Sequence, residues 1–496
     1  SVGLEAKYDD TLTGTAGYTI SARNAAGTEL MYNYEQIFDA ENGHSLVLTL
    51  DANVQMSLEN GLESMLKKYG AKNGGTGIVM DVNSGAIVAM ASYPNYDLND
   101  YGTIFDDALK TKLDTELAKI DAKRSTYESE EAYAEARSAA INSAFQSQWR
   151  NKCIDSTYEP GSTFKTASIM VALEDGKITP DYIVDTGNGQ KPMHGRVMKD
   201  HNWHRGGYGK LTVTEILGVS SNVGTSSIIE NFYGSNPQKF VDGLKRMSID
   251  QPLHLQISGE GKPNIRGPKE RYFSKTTLPW MSIGYETQVP PINILTFYNA
   301  IANNGVSIRP KFVKAAVRDG EVIKEYPTEI INPKICSDKT LAQIREILRK
   351  VVGEGLAKPA GSKQFHVSGK TGTAQISQGA AGYKTGRTNY LVSFCGYFPS
   401  EDPKYSMIVS IQKPGLPASG GLMAGSVFSR IAERVYAKDL RLPLTNAIDT
   451  NSVVIPNVKA GEMREAQRVL EELNIQVQGK IADAGKEVWG NTHLAP

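Results

Sequence analysis

The sequence predicts a core of mixed helices and strands, α/β or α+β, and three features predict it. Between residues 151 and about 440, apolar segments alternate between the helical and the strand period. Two β-rich runs, Gly77-Ile78-Val79-Met80-Asp81-Val82 and Ala86-Ile87-Val88-Ala89-Met90-Ala91, flank an Asn83-Ser84-Gly85 turn, which is a hairpin signal. Hydrophobic residues at 40% and charged ones at 22% are normal for a soluble globular chain.

At 496 residues, one large domain with smaller attachments is expected. Residues 1 to about 70 are turn-rich until the strand-like Leu46-Val47-Leu48-Thr49-Leu50. Asp51 then stands where it would cap an amphipathic helix ending at Tyr69. After the hairpin, residues 104–150 are charged, Ala-rich and nearly free of Gly and Pro, so they read as a solvated helical insertion. Later, Leu391-Val392-Ser393-Phe394-Cys395 reads as a buried strand with Cys395 as core filler. Residues 441–452 lack periodicity and are expected to link to a tail module. In that module, 453–496, Ala466, Val469, Leu470 and Leu473 share one helical face, and Ile475-Gln476-Val477 alternates like a strand.

Several function classes are disfavoured at once. Lys+Arg and Asp+Glu both total 54, so no basic excess points to nucleic acid as a partner. No apolar run approaches the roughly 18 residues of a membrane helix. The chain opens at Ser1 without Met, so a trimmed fragment is expected, and the lack of a membrane segment here is not read as its absence from the parent protein. Cys153, Cys336 and Cys395 are too few and scattered for a disulfide framework.

Chemistry-bearing residues gather in three places. In Glu159-Pro160-Gly161-Ser162-Thr163-Phe164-Lys165 a turn opens a helix whose first residue is expected to be Ser162, with Lys165 on the same face. A serine hydroxyl needs a base to take its proton, and a lysine serves only if its pKa is depressed. The helix N-terminus would direct N–H groups at a developing oxyanion. Ser220-Ser221-Asn222 follows the helix-like Val213-Thr214-Glu215-Ile216-Leu217, and Ser368-Gly369-Lys370-Thr371-Gly372-Thr373 reads as a strand open to a ligand backbone. Each element alone is weak, being more often a plain turn, cap or strand. Two decoys show this: Ser64-Met65-Leu66-Lys67 lies inside the first amphipathic helix, and Lys384-Thr385-Gly386-Arg387 lies in a Gly-rich loop.

The ordered set Ser-x-x-Lys, Ser-x-Asn, Lys-Thr-Gly is shared by β-lactamases and penicillin-binding proteins, and the sequence resembles the class B penicillin-binding proteins. Further stretches carry the resemblance: Gly3-Leu4-Glu5, Tyr8-Asp9 and Leu12-Thr13-Gly14 resemble the end of a pedestal domain. Leu48-Thr49-Leu50-Asp51 with Gln55, and Ala89-Met90-Ala91-Ser92-Tyr93-Pro94, resemble the entry to the transpeptidase domain. Ser282-Ile283-Gly284-Tyr285, Ala302-Asn303-Asn304-Gly305 and Ser393-Phe394-Cys395-Gly396-Tyr397-Phe398-Pro399 resemble later landmarks. Ile455-Pro456-Asn457-Val458 with Glu465-Ala466 and Leu470 is similar to a single PASTA domain, and 104–150 is the main part that finds no match.

The resemblance implies an α+β transpeptidase domain, an antiparallel sheet with flanking helices, over 71–440, after a pedestal remnant in 1–70. It implies Ser162 as nucleophile, Lys165 as base, Ser220 as proton relay and Asn222 holding the substrate amide. It places Lys370, Thr371, Gly372 and Thr373 at the substrate, with Lys370 as a second cation acting on Lys165 and an oxyanion hole at the N–H groups of Ser162 and Thr373. The implied partners are peptidoglycan stem peptides, β-lactams and a membrane glycosyltransferase. The implied location is the outer face of the cytoplasmic membrane, and the lone PASTA-like tail resembles the sporulation-specific type. Chemistry needs no cofactor in this family.

Two rival readings differ in turnover. A β-lactamase needs a group that activates water; no Glu-bearing element between the second and third motifs stands out for this, with Glu260 and Glu286 the ones that could be argued. A β-lactam sensor or wall-peptide binder would acylate without turning over. Separately, Cys153, His201 and His204 are candidate ligands for a structural zinc, with Asp155 or Asp200 as a fourth. The plainer reading of these residues is a buried cysteine and two surface histidines.

Overall fold

The computed structural model describes residues 3–20, 36–71, 73–376, 388–439, 461–462 and 488–489. Two compact units divide the chain, Ser1–Val435 and Tyr436–Pro496. The expected linker and most of the PASTA-like tail lie outside the described residues. In the second unit, Gly461–Glu462 pairs antiparallel with Val488–Trp489.

Helix α1 (Ala52–Tyr69) starts as the sequence predicts, with the Asp51 side chain accepting from the N–H groups of Asn53 and Val54. Such a cap stabilises a helix by about 1 kcal/mol. Strands β1 (Gly75–Asp81) and β2 (Ile87–Tyr93) form the expected hairpin. The 104–150 insertion is two helices, α2 (Asp107–Ala122) and α3 (Glu130–Trp149), in which Ala144 is the one buried residue. A pair of helices with almost no fully buried residue is the outcome its charge pattern requires. Next come α4 (Lys165–Glu174), the hairpin β3 (Gln190–Met193) and β4 (Arg196–Lys199), and α5 (Asn222–Tyr233). Helices α6 (Pro291–Ala302) and α7 (Asp338–Gly353) lead to strands β5 (Ser368–Ile376), β6 (Asn389–Phe398) and β7 (Tyr405–Pro414), then helix α8 (Ser426–Asp439).

The five main strands form one antiparallel sheet in the order β5-β6-β7-β1-β2, so the core is α+β. On one face, α1 buries Val54, Leu58 and Leu62, and Phe428 of α8 meets Phe394 edge-on at 4.7 Å. Each fully buried Leu or Phe contributes about 1.5–3 kcal/mol by leaving water. On the other face, α6 is buried along its whole length, and its Asn299 accepts from Ser406 Oγ of β7 at 2.7 Å. Cys395 of β6 is fully buried, as core filler should be. β5 is an edge of the sheet, and the candidate site lies along it.

Candidate active site

The turn that carries Ser162 is over-determined. Gly161 takes φ +56°, and Gly161–Thr163 forms a 3-10 turn before α4 begins at Lys165. The sequence places the α-helical start at Ser162. The tighter turn replaces it because Thr163 Oγ1 donates back to Pro160 O at 2.9 Å and Phe164 N to Gly161 O at 2.9 Å. Tyr298 Oη, from α6, donates to Thr163 O at 2.8 Å and meets Thr166 Oγ1 at 2.7 Å. From Pro160 to Leu173 every residue is buried except Ser162. A chain segment sunk in the core thus presents one hydroxyl.

Lys165 has no exposed surface, and its Nζ donates to Ser220 O at 2.7 Å and to Ser220 Oγ at 3.2 Å. Burial lowers its pKa to about 7, against the opposing pull of the Asp200 carboxylate. Ser220 sits in left-handed backbone at φ +56°, in the turn between the helix Val213–Gly218 and α5. That conformation costs a non-glycine residue on the order of 1–3 kcal/mol. It is held because the turn's Ser221 caps α5 and donates to Asp200 at 2.9 Å, while Val223 N–H donates to the same carboxylate at 2.9 Å.

Lys370 is also fully buried, and its Nζ reaches Ser220 Oγ at 2.9 Å and Thr371 O at 3.1 Å. Burial first, then the neighbouring Lys165 charge, hold its pKa well below the ordinary lysine range. The expectation that Lys370 is what depresses Lys165 needs correcting, because the dominant cause at Lys165 is its own desolvation.

β5 can lie against the Ser162 turn because residue 372 is glycine. A Cβ there would stand 2.3 Å from Ser393 Oγ and 3.3 Å from Pro160 O. Thr371 is buried and Thr373 exposed. Gln375 N–H points away from β6, donating to Tyr285 Oη at 3.0 Å. Strand alternation therefore turns the N–H and C=O groups of Thr371 and Thr373 to the same open side. Asn222, the first residue of α5, donates from Nδ2 to Lys199 O at 2.8 Å. Together these parts can run acyl transfer to a serine: one open hydroxyl, a lysine neutral near pH 7, a relay hydroxyl between two amines, and outward N–H groups beside them.

The zinc expectation does not survive. Among the described residues no group of three or more His, Cys, Asp or Glu side chains could hold a metal. Cys153 is fully buried with its thiol 3.2 Å from Ala91 O, and burial pushes its pKa up to about 12, so it is no thiolate. His201 pairs with Tyr208 Oη at 3.0 Å, and His204 packs beside Trp203. Asp155 is paired with Arg150, and Asp200 is committed to Ser221 and Val223. Of the decoys, Ser64 and Lys67 are exposed on α1, with Lys67 paired to Glu63. Lys384-Thr385-Gly386 lies outside the described residues. Glu260 accepts from the N–H groups of Leu253 and Leu255, and Glu286 from Thr277 Oγ1 at 2.7 Å, so both carboxylates are engaged structurally.

Sequence reasoning missed three supports. Asp200 matters as the anchor of the Ser220 turn rather than as a metal ligand. Tyr298 pins the Ser162 turn from a helix more than a hundred residues away, and Tyr285 bonds the edge of β5. Nothing local marks Tyr298, although a tyrosine in a helix buried along its whole length does ask where its hydroxyl goes.

Comparison with known proteins agrees with this architecture. Residues 75–433 match the family described as the penicillin binding protein transpeptidase domain. Stage V sporulation protein D of Bacillus subtilis (strain 168) is 28% identical over 493 residues, covering 97% of this chain and 68% of its own. The peptidoglycan D,D-transpeptidase FtsI of Buchnera aphidicola subsp. Schizaphis graminum (strain Sg) is 26% identical over 450 residues, covering 90% of this chain and 66% of its own. The chain thus spans about two thirds of the length of these curated relatives. Penicillin Binding Protein 2X from Streptococcus thermophilus shares the fold with a TM-score of 0.67 at 22% identity, over 88% of this chain and 58% of its own. The chain belongs to the penicillin-binding-protein transpeptidase family, in its class B branch.

Proposed function

We propose that the chain is a serine D,D-transpeptidase of peptidoglycan. Ser162 Oγ attacks the carbonyl of the penultimate D-Ala of a stem peptide while its proton passes to neutral Lys165 Nζ. The N–H groups of Ser162 and Thr373 hold the oxyanion. Collapse breaks the D-Ala-D-Ala amide, and the proton passes from Lys165 by way of Ser220 to the leaving amine. D-Ala departs and an ester to Ser162 remains. The amine of a neighbouring stem attacks that ester, its proton returns through the relay, and Ser162 is regenerated.

The observation that carries this reading is the hydroxyl of Ser220 between two buried lysine Nζ atoms, at 3.2 and 2.9 Å. Lys370, Thr371 and Thr373 fit the terminal carboxylate, Gly372 lets the strand approach, and Asn222 fits the substrate amide. β-Lactams, which carry the same carboxylate and a strained amide, acylate Ser162 in this account. A relative named peptidoglycan D,D-transpeptidase supports the substrate class.

The same reading extends to the parent protein. Residues 1–70 end a pedestal domain, 71–440 form the transpeptidase domain, 441–452 a linker and 453–496 a PASTA-like module. The parent acts at the outer face of the cytoplasmic membrane, anchored by an N-terminal helix, beside a membrane glycosyltransferase, in division or spore-wall synthesis. Among the described residues no helix is long and apolar enough to cross a membrane. The deciding experiment is turnover of a D-alanyl thioester with a D-amino acid acceptor. Repeated turnover and an acceptor-containing product support the transpeptidase, whereas one acylation without product release identifies a sensor.

A further inference from the structure

The Gln375 N–H of β5 is occupied by a side chain of the protein itself. It donates to Tyr285 Oη at 3.0 Å. This contact is anchored from several sides. The Tyr285 ring packs with Trp280 on the buried cluster Met193, Met198, Val223 and Ile283, which joins the β3–β4 hairpin to the start of α5. Its own N–H donates to Trp280 O at 3.0 Å. On one side of it, Gly161 N–H donates to Gly284 O at 3.1 Å, and on the other Glu286 N–H donates to Glu159 Oε1 at 2.9 Å. Tyr285 therefore has a fixed position relative to the Ser162 turn.

We infer that Tyr285 terminates the peptide-pairing edge of β5 and so limits how much of a donor's backbone the enzyme reads. The inference rests on the transpeptidase reading. A donor added as an antiparallel strand pairs its penultimate D-Ala with Thr373. The next outward partner, Gln375, then falls opposite the residue two positions toward the donor's N-terminus. The carbonyl of that residue meets an N–H already used by Tyr285. A longer donor must leave the strand there, so its upstream residues contribute little through backbone pairing.

The test compares two thioester donors. N-benzoyl-D-alanyl thioester has no carbonyl at the blocked position, whereas N-acetyl-L-lysyl-D-alanyl thioester has its acetyl carbonyl there. Tyr285→Phe keeps the ring and removes the acceptor. It should raise the long-to-short ratio of kcat/KM about three- to tenfold, the worth of one hydrogen bond, chiefly through the KM of the long donor. Gln375→Pro deletes the N–H at an edge position that tolerates proline. In the otherwise native protein it should leave the ratio unchanged, and added to Tyr285→Phe it should cancel the gain. An unchanged ratio in Tyr285→Phe, with benzylpenicillin acylation intact, overturns the inference and spares the transpeptidase reading. So does a selective loss of the long donor in Gln375→Pro, a result that decides the matter even if Tyr285→Phe does not fold. Failure of the native protein to react with benzylpenicillin would instead remove the reading on which the inference stands.

Discussion

Lys165 and Lys370 converge on a single atom: their Nζ atoms lie 3.2 and 2.9 Å from Ser220 Oγ, and neither side chain has exposed surface. Two ammonium groups in that setting would repel each other with little water to screen them. The shared hydroxyl is stable when at least one amine is neutral, and a neutral amine is what a proton-accepting lysine must be.

Acylation should therefore follow the ionisation of Lys165. With its pKa lowered to about 7, the second-order rate for benzylpenicillin should climb as pH rises through 7 and flatten above it. Stopped-flow acylation from pH 5 to 9 checks this. Lys165→Arg, a permanent cation, should fall by on the order of a hundredfold or more at every pH. A flat native profile contradicts the assignment.

The same ionisation has a cost in stability. The folded pKa of Lys165 lies below its unfolded value, so between about pH 7 and 10.5 the unfolded chain binds more protons and stability rises with pH. Below that window the cost is complete and constant. Lys165→Met should accordingly be inactive yet more stable at pH 6, by about 2–5 kcal/mol, with the difference shrinking toward pH 10. Denaturant melts at the two pH values test the sign. A variant less stable at pH 6 would mean that the buried amine is better solvated than its surroundings indicate.

Backbone approach at Gly284 should be equally sensitive. It takes φ +83°, and a Cβ there would stand 2.1 Å from Gly161 O. Gly284→Ala should cost about 3 kcal/mol or more and abolish acylation, because the displaced neighbour is the residue before Ser162. Gly70→Ala, also at positive φ but with nothing within 4 Å, should cost about 1 kcal/mol and leave acylation unchanged. Equal effects of the two would show that backbone strain alone, not contact with the Ser162 turn, sets the penalty.

How far the sequence disclosed this site depends on what each residue's role requires. The hairpin, the Asp51 cap and the exposed insertion were legible because period, capping and charge pattern are local signals. The convergence of Lys165, Ser220 and Lys370 was legible only through the order of three motifs, each individually weak. What holds those motifs together was not legible. Asp200 fixes Ser221, and Tyr298 fixes Thr163, through contacts that sequence spacing does not encode. Cys153, His201 and His204 erred for the same reason. Their spacing says nothing of direction, and the thiol turns into the sheet toward Gly77 O and Ala91 O.

Metal removal should accordingly be silent. A chelator should leave the melting temperature and acylation rate unchanged, and Cys153→Ala should cost only the about 1–2 kcal/mol of a small core truncation. Elemental analysis alongside the melts checks this. A chelator-induced drop shared by the native protein but absent in Cys153→Ala would restore a metal at this cysteine.

The most direct measurement of the central claim is intact mass and peptide mapping after reaction with benzylpenicillin. The account predicts one adduct, on the peptide containing Ser162, absent in Ser162→Ala and retained in Ser64→Ala. An adduct that persists in Ser162→Ala, or maps to another serine, would contradict it.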